Sequence, residues 1–266
     1  MGKILICDAG AVSDPGAAFT PVLPGAGSTF TVRATGSPSK QYLVGLARGG
    51  ATKGEIQVRS PYLSDNVEGI RYAVAAGVQD DLLSAVGTQS LRPQDTLSVA
   101  VTGGAAEYDG ALLSSYFEDL SGASPKLKMP GDVSGLFDYV TTWQVNAAAS
   151  VTPGNWNPTA INALYDVSKA NRWYAVLGYV VDTPVLGVAL NGADTSNFNI
   201  GGPGVTDPYK TKAYFADLSL ELGQPCVPCF DTANKGNTTI QVVDVAASTA
   251  VNVTLIVGIL PETWNP

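Results

Sequence analysis

The sequence predicts a mainly β chain: two tandem jelly-roll modules, each a sandwich or barrel, with a few short connector helices. Three observations predict it. First, the chain repeats its own pattern. Tyr42–Pro61 and Tyr174–Gly192 each read as an apolar strand opened by Tyr, a turn, and a second apolar strand. Pro93–Val101 has a counterpart in Gly236–Asp244, and each leads through a small-residue turn into a closing strand, Ala111–Phe117 or Val251–Leu260. The offset of roughly 130–145 residues is the size of a domain, not of a solenoid repeat. Second, many short runs rich in Val, Ile, Tyr and Thr are separated by turn residues every 8–12 residues or so, the spacing of all-β sandwiches. Third, charged residues make up only 14% of the 266 residues, against about a quarter in ordinary domains. Ser, Thr, Asn, Ala and Gly take their place, which points to an exterior buried against other subunits, with a low-charge secreted protein as the other reading.

Taken in order, residues 1–40 read as an N-terminal arm with one or two strands. Pro15, Pro21, Pro24 and Pro38 forbid a long helix, and Ser28–Ala34 alternates as a strand does. The first module spans 41–120, with strands expected at 41–47, 54–59, 69–75, 95–102 and 111–117; Asp80–Val86 reads as a helical turn or a strand. A connector covers 121–172. Val133–Val145 within it is strand or short helix. Asn157-Pro158 offers an N-cap followed by proline at the first helical position, and Ile161, Leu164, Tyr165 and Ser168 follow at helical spacing, so a helix is expected over 158–170. The second module spans 173–266, with strands expected at 173–181, 185–190, 197–200, 212–219, 226–230, 238–245 and 250–260. Gly201-Gly202-Pro203-Gly204 reads as a loop. It cannot cradle a phosphate, since no helix-forming segment follows it. The closing Trp264 is expected to dock on its own or a neighbouring subunit.

Chemistry is sparse. The chain contains no histidine, which removes the commonest general acid/base and the commonest transition-metal ligand. Cys226-Val227-Pro228-Cys229 has redox or zinc spacing, but no second pair and no histidine completes a zinc site. Its prolines oppose the helix that a thioredoxin-like motif opens, so the cysteines read as structural or free thiols. Asp231-Thr232-Ala233 is similar to half of an aspartic-protease site. The repeat partner carries no second copy, so it reads as a turn. Glu55, Glu68, Asp80-Asp81, Glu107, Asp109, Glu118-Asp119, Asp194, Asp207, Asp217 and Glu221 offer carboxylates for a glycosidase pair, but their places in turns and at strand ends read as solvated charges. Asp194-Thr195-Ser196-Asn197 lacks the dense ligand array of a calcium loop. Trp143, Trp156, Trp173, Tyr139, Tyr165 and Tyr174 could form a sugar platform; packing explains them better. Asn237-Thr238-Thr239 and Asn252-Val253-Thr254 read as strand threonines. The net charge is −8 without a Lys/Arg cluster, which argues against direct nucleic-acid binding and against an anionic membrane surface. Ile4-Leu5-Ile6-Cys7 is too short for the apolar core of a secretion signal. No catalytic residue, cofactor or metal site is expected, and the chain is not expected to be an enzyme.

Tandem β modules, a helix-bearing connector and a low-charge surface, with the runs Trp173–Tyr179, Asn191–Asn197 and Val253–Val257, resemble the double-jelly-roll major capsid proteins of tailless icosahedral bacterial viruses. The resemblance covers about Gln41–Leu260 and is architectural; that family has no diagnostic motif. It implies a homotrimer of two-barrel subunits forming a pseudo-hexagonal capsomer of the virion shell. It also implies penton and minor capsid proteins as partners, and a shell lying over an internal membrane or a genome. Trp264 and Trp156 are the candidate assembly contacts. Two other readings remain: another self-assembling surface protein, such as a sheath or appendage subunit, located outside the cell, or a carbohydrate-binding β-sandwich.

Overall fold

The computed structural model describes residues 2–24, 30–31, 41–61, 67–79, 89–92, 96–104, 107–119, 126–148, 152–161, 172–245 and 250–266. The first half supplies β1 (Gly2–Ser13), β2 (Thr20–Pro21), β3 (Leu23–Pro24), β4 (Phe30–Thr31), β5 (Gln41–Gly50) and β6 (Gly54–Arg59). It continues with β7 (Ile70–Val74), β8 (Gly77–Gln79), β9 (Gln89–Leu91), β10 (Thr96–Val101) and β11 (Tyr108–Asp119). The second half supplies β12 (Leu127–Lys128), α1 (Pro130–Val133), β13 (Tyr139–Ala147), β14 (Asn157–Ala160), β15 (Trp173–Val181), β16 (Val185–Asn191) and β17 (Ile200–Gly204). After α2 (Pro208–Thr211) and α3 (Tyr214–Leu222) come β18 (Val227–Asp231), β19 (Thr239–Val243) and β20 (Val251–Ile259).

These strands form four antiparallel sheets, and the jelly-roll strand order occurs twice. In the first half one sheet runs β1-β11-β5-β8, with β9 also on β5, and the other runs β2-β10-β6-β7, with β4 also on β10. In the second half the sheets run β13-β20-β15-β18 and β14-β19-β16-β17. Leaving aside the two-residue β12, which pairs with β18, each half thus pairs its first strand with its last and its second with its next-to-last, as nested Greek keys require. The segments that repeat in the sequence occupy equivalent places: β5–β6 matches β15–β16, β10 matches β19, and β11 matches β20.

Alternation builds each core. Leu97, Val99 and Val101 of β10 point inward, where they join Leu43, Leu46, Ile56, Val58 and Leu113 between the first two sheets. In β20, Val251, Val253, Leu255 and Val257 are buried and the residues between them are not, the period of a strand with one face on a core. The second core adds the rings of Trp143, Tyr174, Tyr179, Phe215 and Phe230. A third cluster, Cys7, Ala9, Ala47, Leu112, Leu186 and Val243, lies between the halves. There β1, β5 and β11 meet β16 and β17 face to face, so the two sandwiches stack into four layers. The Cys7 amide crosses this seam to the Asn199 carbonyl (2.8 Å).

Several expectations need correction. Residues 2–13 of the expected arm form β1, paired along its length with β11. The expected connector likewise contributes β13 and β14, the first two strands of the second jelly roll. The helix expected over 158–170 does not begin where its signals stand: Asn157–Ala160 is strand β14, paired with β19, and 162–171 lie outside the described residues. β14 is an edge strand, where the missing N–H of Pro158 is tolerated, and Asn157 and Thr159 spend their side chains on Ala148 (3.3 and 2.9 Å). Gly201–Gly204, expected as a loop, belongs to β17. Gly202 is needed there because a Cβ would stand 2.2 Å from the Tyr214 ring. Residues 212–219, expected as a strand, fall mostly in α3, where Phe215 and Ser219 are buried one turn apart. Val133–Val145 contains both predicted types, the end of α1 and most of β13. Of Ser28–Ala34, Phe30–Thr31 is described, as β4. Asp80–Val86 lies outside the described residues.

Candidate functional site

The residues singled out for chemistry do not converge on a cleft. Cys7, Cys226 and Cys229 are free and buried, and burial pushes each thiol up to about 12, away from the nucleophilic thiolate. The Asp231 carboxylate accepts the Ala233 amide (2.9 Å), closing the turn read from the sequence. Asp194 is not a solvated charge: it is buried and accepts from the Asp231 amide and the Asn234 side chain, both at 3.0 Å. Among the described residues no group of three or more Cys, Asp and Glu is placed to hold a metal ion, and no helix is long and apolar enough to cross a membrane.

Asp109 is the second carboxylate that is not solvated. It and Arg48 are wholly shielded from water and lie 2.5 Å apart. Arg48 also donates to the carbonyls of Thr52 (2.6 Å), Ala75 (3.3 Å) and Thr102 (3.3 Å). Gly103 lets the chain pass the carboxylate, since a Cβ there would fall 1.8 Å from it. Burial raises the Asp109 carboxyl to about 6, with Arg48 opposing the rise; burial lowers Arg48. This pair pins together β5, β11 and the turns after β5, β7 and β10. It leaves no room for a ligand.

The aromatic residues are packed as core. Trp143 lies 4.7 Å from Tyr174 and 5.8 Å from Phe230, and Tyr174 stacks on Phe230 at 5.6 Å. Trp156 sits partly buried at the seam between the halves. Trp264 docks on its own chain, edge-on to Trp173 at 5.7 Å, with the Lys128 ammonium 5.7 Å over its ring. Arg172 holds the same tail through Glu262 (3.2 Å) and the Leu260 carbonyl (3.4 Å), and also binds Asp138. Tyr139 alone of the described candidate rings is exposed; Tyr165 lies outside the described residues.

What the fold does present to solvent is a neutral face. β13 and β20 contain no charged residue. Their outward side chains stand in a ladder, Val140 by Gly258, Thr142 by Ile256, Gln144 by Thr254 and Asn146 by Asn252. The β13 members are exposed and the residues at 252, 254 and 256 half-buried. The Asn146 amide donates to the Asn252 side chain (3.0 Å), and Asn252 in turn donates to Asp182 at the rim (2.6 Å). Among the described residues the helices α2 and α3 cover the β15 side of the same sheet, and the exposed part is its β13 margin. Leu136, Tyr139 and Val140, at 46%, 46% and 55% exposure, extend the margin with apolar surface. A patch without charge, rimmed by polar groups, has the composition of an interface centre. Of these residues Tyr139, as a candidate ring, and the strand run around Asn252–Val257 stand out in the sequence; nothing there joins 139–147 and 251–260 into one uncharged face.

No protein-family model matches the chain, and no curated protein matches it. Among solved structures it is similar to the PBSX exported protein XepA, at 12% identity over 96% of this chain and 86% of that one, with a TM-score of 0.29. A Bacillus endospore appendage protein that forms disulfide-linked pili shares 18% identity over 46% of this chain and 93% of its own, TM-score 0.22. The major capsid protein P2 of bacteriophage PM2 shares 10% identity over 99% of this chain and 100% of its own, TM-score 0.21. At TM-scores of 0.29 and below, these likenesses carry no argument about function.

Proposed function

We propose that this chain is a structural, non-catalytic virion protein: the major capsid subunit whose homotrimers form pseudo-hexagonal tiles of an icosahedral shell. One observation carries the reading, the repetition of the eight-strand order within a single chain. A subunit with two similar sandwiches puts six similar corners around a three-fold axis, so a trimer packs as a hexagon although it has only three-fold symmetry. Hexagonal tiles alone make a flat sheet. Closure needs five-fold vertices, which this geometry leaves to a separate penton protein. The neutral β13 margin and the scarcity of charge support close packing of copies at modest desolvation cost. Many such contacts, each weak, add into a stable shell.

Electron microscopy and sedimentation of the purified protein test the proposal. Trimers and closed particles of uniform diameter are the expected result. A monodisperse monomer at high concentration would overturn it, and tubes or open sheets would make the chain a sheath or appendage subunit instead.

A further inference from the structure

Asparagine followed by glycine is the dipeptide most prone to deamidation, because glycine has no side chain to hinder attack by its own backbone nitrogen. The chain contains one such pair, Asn191-Gly192, at the end of β16. Glycine is required there: a Cβ at position 192 would lie 2.8 Å from the Asn237 carbonyl oxygen and 3.0 Å from Thr238. A larger residue would remove the hazard only by moving the turn before β19. The surroundings instead hold both reacting groups. Gly192 is buried, and its amide donates to the Thr195 hydroxyl (2.9 Å). Thr195 is 3% exposed, and its hydroxyl donates to the Gly192 and Phe198 carbonyls (3.0 Å each). Asn191 stands opposite Thr239 in the sheet, and the Thr239 hydroxyl donates to its carbonyl (3.3 Å). The Asn191 side-chain amide donates to the Asn197 carbonyl (3.0 Å) and to Asn199 Oδ1 (2.8 Å). The Asn199 carbonyl in turn accepts the Cys7 amide across the seam between the halves (2.8 Å).

We infer that Asn191 is a latent deamidation site, kept closed by the Thr195 hydroxyl, and that its conversion loosens the seam where Asn199 meets Cys7. In the reaction the Gly192 nitrogen gives up its proton and attacks Asn191 Cγ. The Cγ–Nδ2 bond breaks, ammonia leaves with that proton, and a succinimide ring remains. Water then opens either carbonyl of the ring, leaving aspartate or isoaspartate. Nothing is oxidised or reduced. The native geometry opposes the first step on both sides. The proton to be lost is engaged by Thr195, and the carbon to be attacked belongs to a side chain tied to residues 197 and 199. After conversion, the carboxylate has no proton to donate. It sets acceptor against acceptor at the Asn197 carbonyl and at Asn199 Oδ1, a conflict relieved by moving that loop. Isoaspartate also adds a methylene to the main chain, which breaks the register opposite Thr239. Asn199 is the point where the loop bonds to β1, so either product acts on the contact between the two halves.

The test is to incubate the purified protein at mildly alkaline pH, native and in urea, and to follow Asn191 by peptide mass spectrometry. The native chain should convert at least about tenfold more slowly than the unfolded one, the scale of one buried hydrogen bond. Thr195→Val removes the hydroxyl at nearly constant volume and should raise the native rate at least about tenfold. Thr195→Ser keeps the hydroxyl and should stay near the wild type. Asn191→Asp, which installs one product directly, should speed hydrogen exchange at the Cys7 amide at least about tenfold and leave the β20 amides unchanged. Equal rates in native and unfolded protein, or a Thr195→Val variant as slow as the wild type, overturn the lock. A Cys7 amide that exchanges in Asn191→Asp as it does in the wild type overturns the link to the seam. Should Thr195→Val fail to fold, the wild-type Gly192 amide decides: exchange as fast as in the unfolded chain overturns the lock, and strong protection upholds it.

Discussion

The two halves close the same strand order by opposite means. Where β5 faces β11, Arg48 stands opposite Ala111 and reaches the buried Asp109. Where β15 faces β20, the corresponding corner is Val181 opposite Val253, both buried. The first half therefore holds its corner with a charge pair and a set of backbone carbonyls. The second packs Val181 on Val253 there, with Asp182 at the rim accepting from the Asn252 amide and side chain (3.0 and 2.6 Å); its aromatic cluster and strapped tail lie at the opposite end of β15, at Trp173 and Tyr174. Topology is set by which strands can pair. The chemistry that seals a corner is a separate choice, and the two choices respond differently to substitution and to pH.

The largest effects are expected where the halves are alike. Leu97 and Ile240 occupy equivalent strands, β10 and β19, and are 3% and 0% exposed. A carboxylate at either position would be buried without a partner, at a cost of several kcal/mol against a total stability of about 5–15 kcal/mol. Leu97→Asp and Ile240→Asp are each expected to abolish folding, read as loss of soluble protein and of the β signature in circular dichroism. If either variant stayed soluble and assembled, the inward register of that strand would be wrong.

Next come variants that separate the halves. Arg48→Met leaves Asp109 buried and unpaired, an expected loss of about 3–5 kcal/mol in urea unfolding at pH 7.5. Arg48→Met/Asp109→Leu should recover most of it, since an apolar replacement of a buried pair is often neutral or stabilising. The pH dependence is opposite to that of a salt-bridged surface carboxylate. Burial puts the folded-state value of Asp109 at about 6, above its unfolded value, so the native state binds the extra proton between roughly pH 4 and 6. Stability from this group therefore falls as pH rises through that window and is flat above it. The difference between wild type and Asp109→Asn, measured from pH 4 to 8, should show that fall. A rise would mean that Arg48 outweighs burial, and a flat line that the two cancel. No such step is expected from the Val181–Val253 corner.

Much of this was legible in the sequence, and the failures share a cause. The repeat located equivalent strands because alternation of apolar residues survives without identity. The dipeptide signals were less safe. Asn157-Pro158 and Asp207-Pro208 are the same signal, an N-cap residue before a proline. Asp207 does cap α2, accepting the Tyr209 amide (3.0 Å), while Asn157 opens β14. The capping signal is local, and β19 supplies a pairing partner that no local rule sees. Residues 212–219 failed the other way: Tyr214 and Phe215 favour strands, but the burial of Phe215 and Ser219 follows a helical turn. The neutral exterior was expected from composition; its position was not, because which strand ends a sheet depends on strand order. Asp109 was misread as solvated since a buried charge is rare and Arg48 lies far away in sequence.

The smallest effect concerns the strap, which the first half lacks among its described residues. Trp264 lies edge-on to Trp173 and under Lys128, and is only partly buried. Trp264→Ala should therefore cost about 1–2 kcal/mol, the size of one aromatic pair plus modest apolar area. Two readouts separate its roles. A tail that serves its own sandwich shifts the urea midpoint and leaves particle yield unchanged once the temperature is lowered to restore stability. A tail that also reaches a neighbouring copy lowers the yield beyond what the shift in midpoint explains. The contact with Trp173 already occupies one ring edge, so the first outcome is the one the geometry favours.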